Sequence, residues 1–158
     1  MPVVLIVYDS ETGNTEKMAK AVAEGARDVA GVDVVLKHVD VASLDDLLQA
    51  DGIVVGSPTF YGLMSAKIKK LFDESVKLHG KLDGKVGAAF TSSGGIATGA
   101  ETTILSILHA FLVHGMTVQG RAKFKHYGAA GVSVPDEKEI KDCRNLGART
   151  AQLVLRLG

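Results

Sequence analysis

The sequence predicts a doubly wound α/β domain built on a five-stranded parallel sheet, and three observations carry that prediction. Apolar runs of strand length alternate with segments of helical period along the chain. The first run, Val3 to Tyr8, shows no polar alternation, as a strand buried on both faces requires. Turns rich in glycine and hydroxyl side chains follow the first, third and fourth runs, where a parallel sheet gathers its ligand-binding loops.

After Val3–Tyr8 comes a polar turn, Asp9 to Asn14. Met18, Ala19, Val22, Ala23, Ala26 and Val29 then recur at helical spacing, predicting a helix from about residue 15 to residue 30. Residues 32–39 read as the second strand. Ser43 is placed to cap a short helix, with Asp45 and Asp46 in its first turn. Ile53–Val55 is the third strand, and Met64, Ile68, Leu71, Phe72 and Val76 mark the next helix. Residues 86–90 form the fourth strand, followed by a helix carrying Ile104, Ile107, Leu108 and Phe111. A fifth strand starts at Met116–Val118. The irregular stretch from Gly120 to Pro135 reads as an excursion at that strand, and a last helix begins after Pro135. The 158 residues are taken as one domain.

Three loops should meet at one edge of the sheet. The first is Ser10, Glu11, Thr12, Gly13, Asn14 and Thr15, whose hydroxyls and glycine stand at a helix N-terminus. Free first-turn amides and the helix dipole favour a phosphate there. The loop has no lysine or arginine and no Walker pattern, which suits a monoester phosphate held by neutral donors. The second loop runs from Gly56 through Ser57, Pro58, Thr59, Phe60 and Tyr61 to Gly62, and offers aromatics on which a planar ring can stack. The third, Thr91, Ser92, Ser93, Gly94, Gly95 and Ile96 onward to Gly99, exposes backbone groups that can read the polar edge of a heterocycle.

Composition excludes several function classes. Lys plus Arg number 18 and Asp plus Glu number 18, so there is no basic excess for nucleic acid or a membrane surface. No run is long enough to span a bilayer. The lone cysteine, Cys143, can form no internal disulfide and sits on an apolar helical stripe, which fits packing in a reducing cytoplasm. The opening apolar run lacks the basic leader of a signal peptide. The five histidines show no metal-ligand spacing and read as surface or satisfied positions, and Lys67, Lys69 and Lys70 read as a solvated helix face.

Ile6-Val7-Tyr8, Ser10, Gly13, Thr15, Ala19 and Val22 match the flavodoxin signature. The chain resembles the flavodoxin-like superfamily, and within it the WrbA-like NAD(P)H:quinone oxidoreductases. Residues 21–26, 56–59, 101–103, 114–116 and 127–129 carry that narrower likeness. The resemblance implies an FMN cofactor, with its phosphate on Ser10–Thr15. It places the isoalloxazine beside Pro58, Thr59, Phe60, Tyr61 and Gly62, and the ribityl chain and ring against Thr91–Ile96. It implies reduction by NAD(P)H and transfer of two electrons to a quinone-like acceptor, with no protein nucleophile. The alternative is an electron carrier between redox protein partners. Typical carriers are acidic and this chain is neutral, which favours the enzyme. Against the family pattern, an arginine is missing from Pro58-Thr59-Phe60-Tyr61-Gly62, a His-His doublet is reduced to Val113-His114, and insertions are absent.

A homo-oligomer is also expected. Leu105 and Leu112 add a second apolar row to the fourth helix, a candidate interface that would bring His114 and the flavin edge near a partner subunit.

Overall fold

In a computed structural model of residues 1–158, every strand pair of the sheet is parallel, and the strands lie side by side in the chain order second, first, third, fourth, fifth. The elements are β1 (Val3–Tyr8), α1 (Asn14–Arg27), β2 (Asp33–His38), α2 (Leu44–Gln49), β3 (Gly52–Pro58), α3 (Ala66–Glu74), a 3-10 turn (Ser75–Leu78), β4 (Val86–Ser93), α4 (Ala100–Val113), β5 (Thr117–Val118), β6 (Ala129–Val132) and α5 (Glu137–Leu157). From β1 the chain steps outward to β2, then crosses back to β3 on the other side. The C-terminal ends of β1 and β3 therefore flank the switch point, where a crevice opens.

Alternation along the strands divides the core. Val4, Ile6, Tyr8 and Val54 face α1 and α5, while Leu5, Val7, Ile53 and Val55 face the side of α3 and α4. The α1–α5 packing depends on two small residues. A Cβ on Gly25 would overlap the Arg144 backbone, and one on Gly147 would overlap the Val22 backbone. Cys143 lies fully buried in this layer, and burial pushes its thiol up to about 12, so packing is its role.

Several elements differ from the sequence reading. The first helix stops at Arg27, short of Ala30. The fourth strand continues through Thr91, Ser92 and Ser93, because these three remain paired to Ala130–Val132 of β6. They are strand residues, and the loop proper begins at Gly94. The fifth position of the sheet is split: β5 pairs with Val86–Gly87, the chain leaves for residues 119–128, and β6 returns to pair with Phe90–Ser93. This is the excursion expected from the sequence. Val76 falls in the 3-10 turn and is exposed, since the shift of helical pitch rotates it off the stripe.

The capping of α2 follows the expected pattern. Ser43 Oγ accepts the Asp46 amide at 3.2 Å, and Asp46 Oδ2 accepts the Ser43 amide at 2.9 Å. The α3 lysines form ion pairs, Lys67–Asp40 at 3.0 Å, Lys69–Asp73 at 2.6 Å and Lys70–Glu74 at 3.8 Å. The second row on α4 is only half free, because Leu105 packs against the core while Leu112 is 54% exposed. No helix is long and apolar enough to cross a membrane.

Candidate functional site: a cleft at the switch point

A cleft of about 350 Å³ opens at the switch point, lined by Glu11, Thr12, Asn14 and Thr15 after β1, Pro58, Thr59 and Phe60 at the end of β3, and Ser92, Ser93 and Gly94 at the end of β4. The three segments singled out in the sequence do come together. A fourth joins them, Ser133 and Val134 after β6. Sequence reasoning assigned that pair no role, although it lies within the irregular stretch before Pro135.

The first loop is a cradle of amides. Gly13 caps α1 with φ +90°, a left-handed conformation that glycine adopts without strain. Ser10 Oγ accepts the amides of Gly13 at 3.1 Å and Glu16 at 3.3 Å, which locks the loop onto the helix. The amides of Thr12, Asn14 and Thr15 donate to no group of the protein. Thr15 Oγ1 and Ser92 Oγ lie 2.6 Å apart in a buried contact that ties this loop to β4. Ser10 and Gly13 thus support the cradle from behind and do not line the cleft.

The second loop is a tight turn. Phe60 and Leu63 exchange backbone hydrogen bonds of 3.1 and 3.0 Å, with positive φ at both Tyr61 (50°) and Gly62 (75°) between them. The Thr59 hydroxyl donates to Thr91 Oγ1 at 2.8 Å, and the Thr91 hydroxyl donates to the Ser57 carbonyl at 2.7 Å. Thr91 is therefore buried scaffolding beneath the cleft. Phe60 lines the cleft. Tyr61, at the tip of the turn, is fully exposed and does not line it. Beyond Ser93, the third loop divides: Gly94 lines this cleft, whereas Gly95 and Ile96 line a neighbouring one.

The lining holds one carboxylate, Glu11, and no lysine, arginine or histidine. Beneath it, the Tyr8 hydroxyl donates to Glu16 Oε1 at 2.9 Å, and burial, followed by that carboxylate, holds its pKa above the usual tyrosine range. His114 is far away. It ends α4, whose 14 residues rise about 1.5 Å each, placing it roughly 20 Å along the helix from the Ala100 end.

A family model described as Flavodoxin matches residues 6–107. The chain belongs to the flavodoxin family. It is similar to the protein named flavodoxin from Aquifex aeolicus, 50% identical over 96% of this chain and 86% of that one. It is also similar to the protein named NAD(P)H dehydrogenase (quinone) from Archaeoglobus fulgidus, 35% identical over 98% of each. Among solved structures, the flavodoxin, WrbA-like protein from Agrobacterium tumefaciens superposes over the full length of both chains with a TM-score of 0.86 at 28% identity.

FMN is the cofactor of this flavodoxin family, and the cleft fits it on three counts. Its volume lies in the range of about 300–1,000 Å³ usual for small-molecule sites. Three unpaired amides at a helix N-terminus suit a phosphate. Phe60 and the end of β4 offer an aromatic face and backbone polar groups across from each other.

Proposed function

We propose that this flavodoxin-family protein is an electron carrier that exchanges electrons with redox protein partners at the cleft rim. One observation carries the reading: Tyr61, next to the cleft-lining Phe60, and Ile96, two residues beyond the cleft-lining Gly94, are large, apolar and almost wholly exposed. Such a rim supports brief docking through short-range apolar contact. It needs no charge steering, which answers the objection raised by the neutral sequence. The 50% identity to a protein named flavodoxin supports the same reading.

In this reading the amides of Thr12, Asn14 and Thr15 hold the FMN phosphate, with the Thr12 hydroxyl beside them. Phe60 faces the isoalloxazine, and Ser92, Ser93 and Gly94 touch the ribityl chain and ring. Ser133 and Val134 close the side next to β6. FMN, when bound, supplies reversible one- and two-electron chemistry. The protein orients it, shields one part from water and leaves the rim open to a partner.

The second reading is an NAD(P)H:quinone oxidoreductase, favoured by the Archaeoglobus relative that aligns over 98% of each chain. Anaerobic mixing separates the two. A carrier loaded with FMN is bleached slowly or not at all by NADPH or NADH, yet after reduction by dithionite it passes electrons rapidly to cytochrome c. Rapid bleaching by a pyridine nucleotide, with turnover on a benzoquinone, overturns the carrier reading.

A further inference from the structure

A second cleft, of about 370 Å³, lies on the other side of the β4–α4 turn, and Ser93 lines both hollows. One wall is Ile96, Ala97 and the start of α4. The other is the excursion between the two halves of the fifth strand position, around Phe124 and Tyr127.

Three independent observations mark it as a site. First, large apolar side chains are left open at the same hollow: Ile96 is 88% exposed, Phe124 55% and Tyr127 48%. Second, only four non-glycine residues hold a left-handed backbone. Tyr61 and Ser133 belong to the segments around the cofactor cleft, and the other two, Ala97 (φ 58°) and Lys125 (φ 51°), line this one. Strain of that kind persists where the surroundings hold a segment in a functional shape. Third, the excursion from Gln119 to Gly128 carries no carboxylate and puts two basic residues, Lys125 and His126, into the lining.

The arrangement of these groups defines the ligand. The Lys125 ammonium is fixed by the Ala130 carbonyl at 2.5 Å and stands 5.6 Å from the centre of the Phe124 ring. His126 Nδ1 donates to the Arg121 carbonyl at 2.8 Å, which leaves Nε2 for another partner. A flat ring against Ile96, Phe124 and Tyr127, with one negative group at Lys125, satisfies both the apolar and the charged walls. Glu101 is the single carboxylate of the lining and disfavours a second negative charge.

We propose that this cleft binds a planar aromatic monoanion of the aromatic carboxylate class, separately from the cofactor.

The test uses FMN-loaded protein and 2-naphthoate, followed by amide NMR shifts. Shifts should concentrate at Ile96, Ala97, Glu101, Tyr127 and Gly128, with FMN still bound and no free flavin released. The neutral 2-naphthalenemethanol should bind about tenfold more weakly, the loss expected for one charge-assisted hydrogen bond. Phe124→Ala should weaken naphthoate about fivefold or more through lost ring contact, and Lys125→Gln should abolish the preference for acid over alcohol. Absence of shifts at millimolar naphthoate, displacement of FMN, equal binding of acid and alcohol, or unchanged affinity in both folded variants would each overturn the proposal. The acid–alcohol comparison in the unaltered protein decides the matter if either variant misfolds.

Discussion

Thr15 Oγ1 and Ser92 Oγ meet at 2.6 Å, buried, and join the first turn of α1 to the C-terminal end of β4 across the floor of the cofactor cleft. One contact thus fixes the distance between the phosphate cradle and the strand end across from it. Replacing Thr15 by valine keeps the shape but leaves the Ser92 hydroxyl to find another partner. An unsatisfied buried hydroxyl costs about 1–3 kcal/mol. Thr15→Val should lower unfolding stability by that amount in urea titration and weaken FMN as well. An unchanged midpoint would show that the contact carries no weight.

Gly56 is a packing position of another kind. A Cβ there would run into the Phe90 ring, which is fully buried on the neighbouring strand. Gly56→Ala should destabilise the fold by about 1–3 kcal/mol, the usual cost of forcing a packed core apart. Thermal unfolding checks this, and the accompanying change Phe90→Leu should recover part of the loss.

His114 gives a pH dependence whose sign follows from its surroundings. It is 8% exposed, its Nε2–H donates to Ser75 Oγ at 2.7 Å, and its Nδ1 is buried without a partner. Burial, and then the neighbouring His79, lowers its pKa. The unfolded chain therefore takes up the proton first as the pH falls. Stability is fully present above the ordinary histidine pKa of about 6.5 and is lost as the pH drops through that value toward the lowered one. Urea midpoints measured at neutral pH and near pH 5 should show the loss in the natural protein and a smaller one in His114→Gln. Equal slopes would place the effect elsewhere.

The two aromatics of the second loop should behave differently. Phe60 lines the cleft and Tyr61 does not, so Phe60→Ala should raise the fluorescence of bound flavin and loosen its binding, while Tyr61→Ala leaves both nearly unchanged. The reverse pattern would mean that the turn rearranges around the ring.

Much of this arrangement was legible in the residues. The unbroken apolar run of β1, the stripe of α1 and the Ser43-to-Asp46 cap are local signals, and local signals suffice for them. The end of β4 was not, because Thr91, Ser92 and Ser93 look like loop residues until β6 is paired beside them. That pairing is a long-range fact with no local mark. Ser133 was missed for the same reason: its amide donates to the Ser93 carbonyl at 2.8 Å, so its place in the cleft comes from the split fifth strand position. The division of roles between Phe60 and Tyr61 rests on the two positive φ angles of one turn, which neighbouring aromatics in a sequence do not disclose.

The central claim is that the free amides of Thr12, Asn14 and Thr15 hold the phosphate of FMN at the switch point. Calorimetric titration of the flavin-free protein with FMN and with riboflavin tests it most directly. Two or more hydrogen bonds to a charged group, at about 1.5–3 kcal/mol each, should make FMN at least about a hundredfold tighter. Riboflavin binding as tightly as FMN would contradict the account.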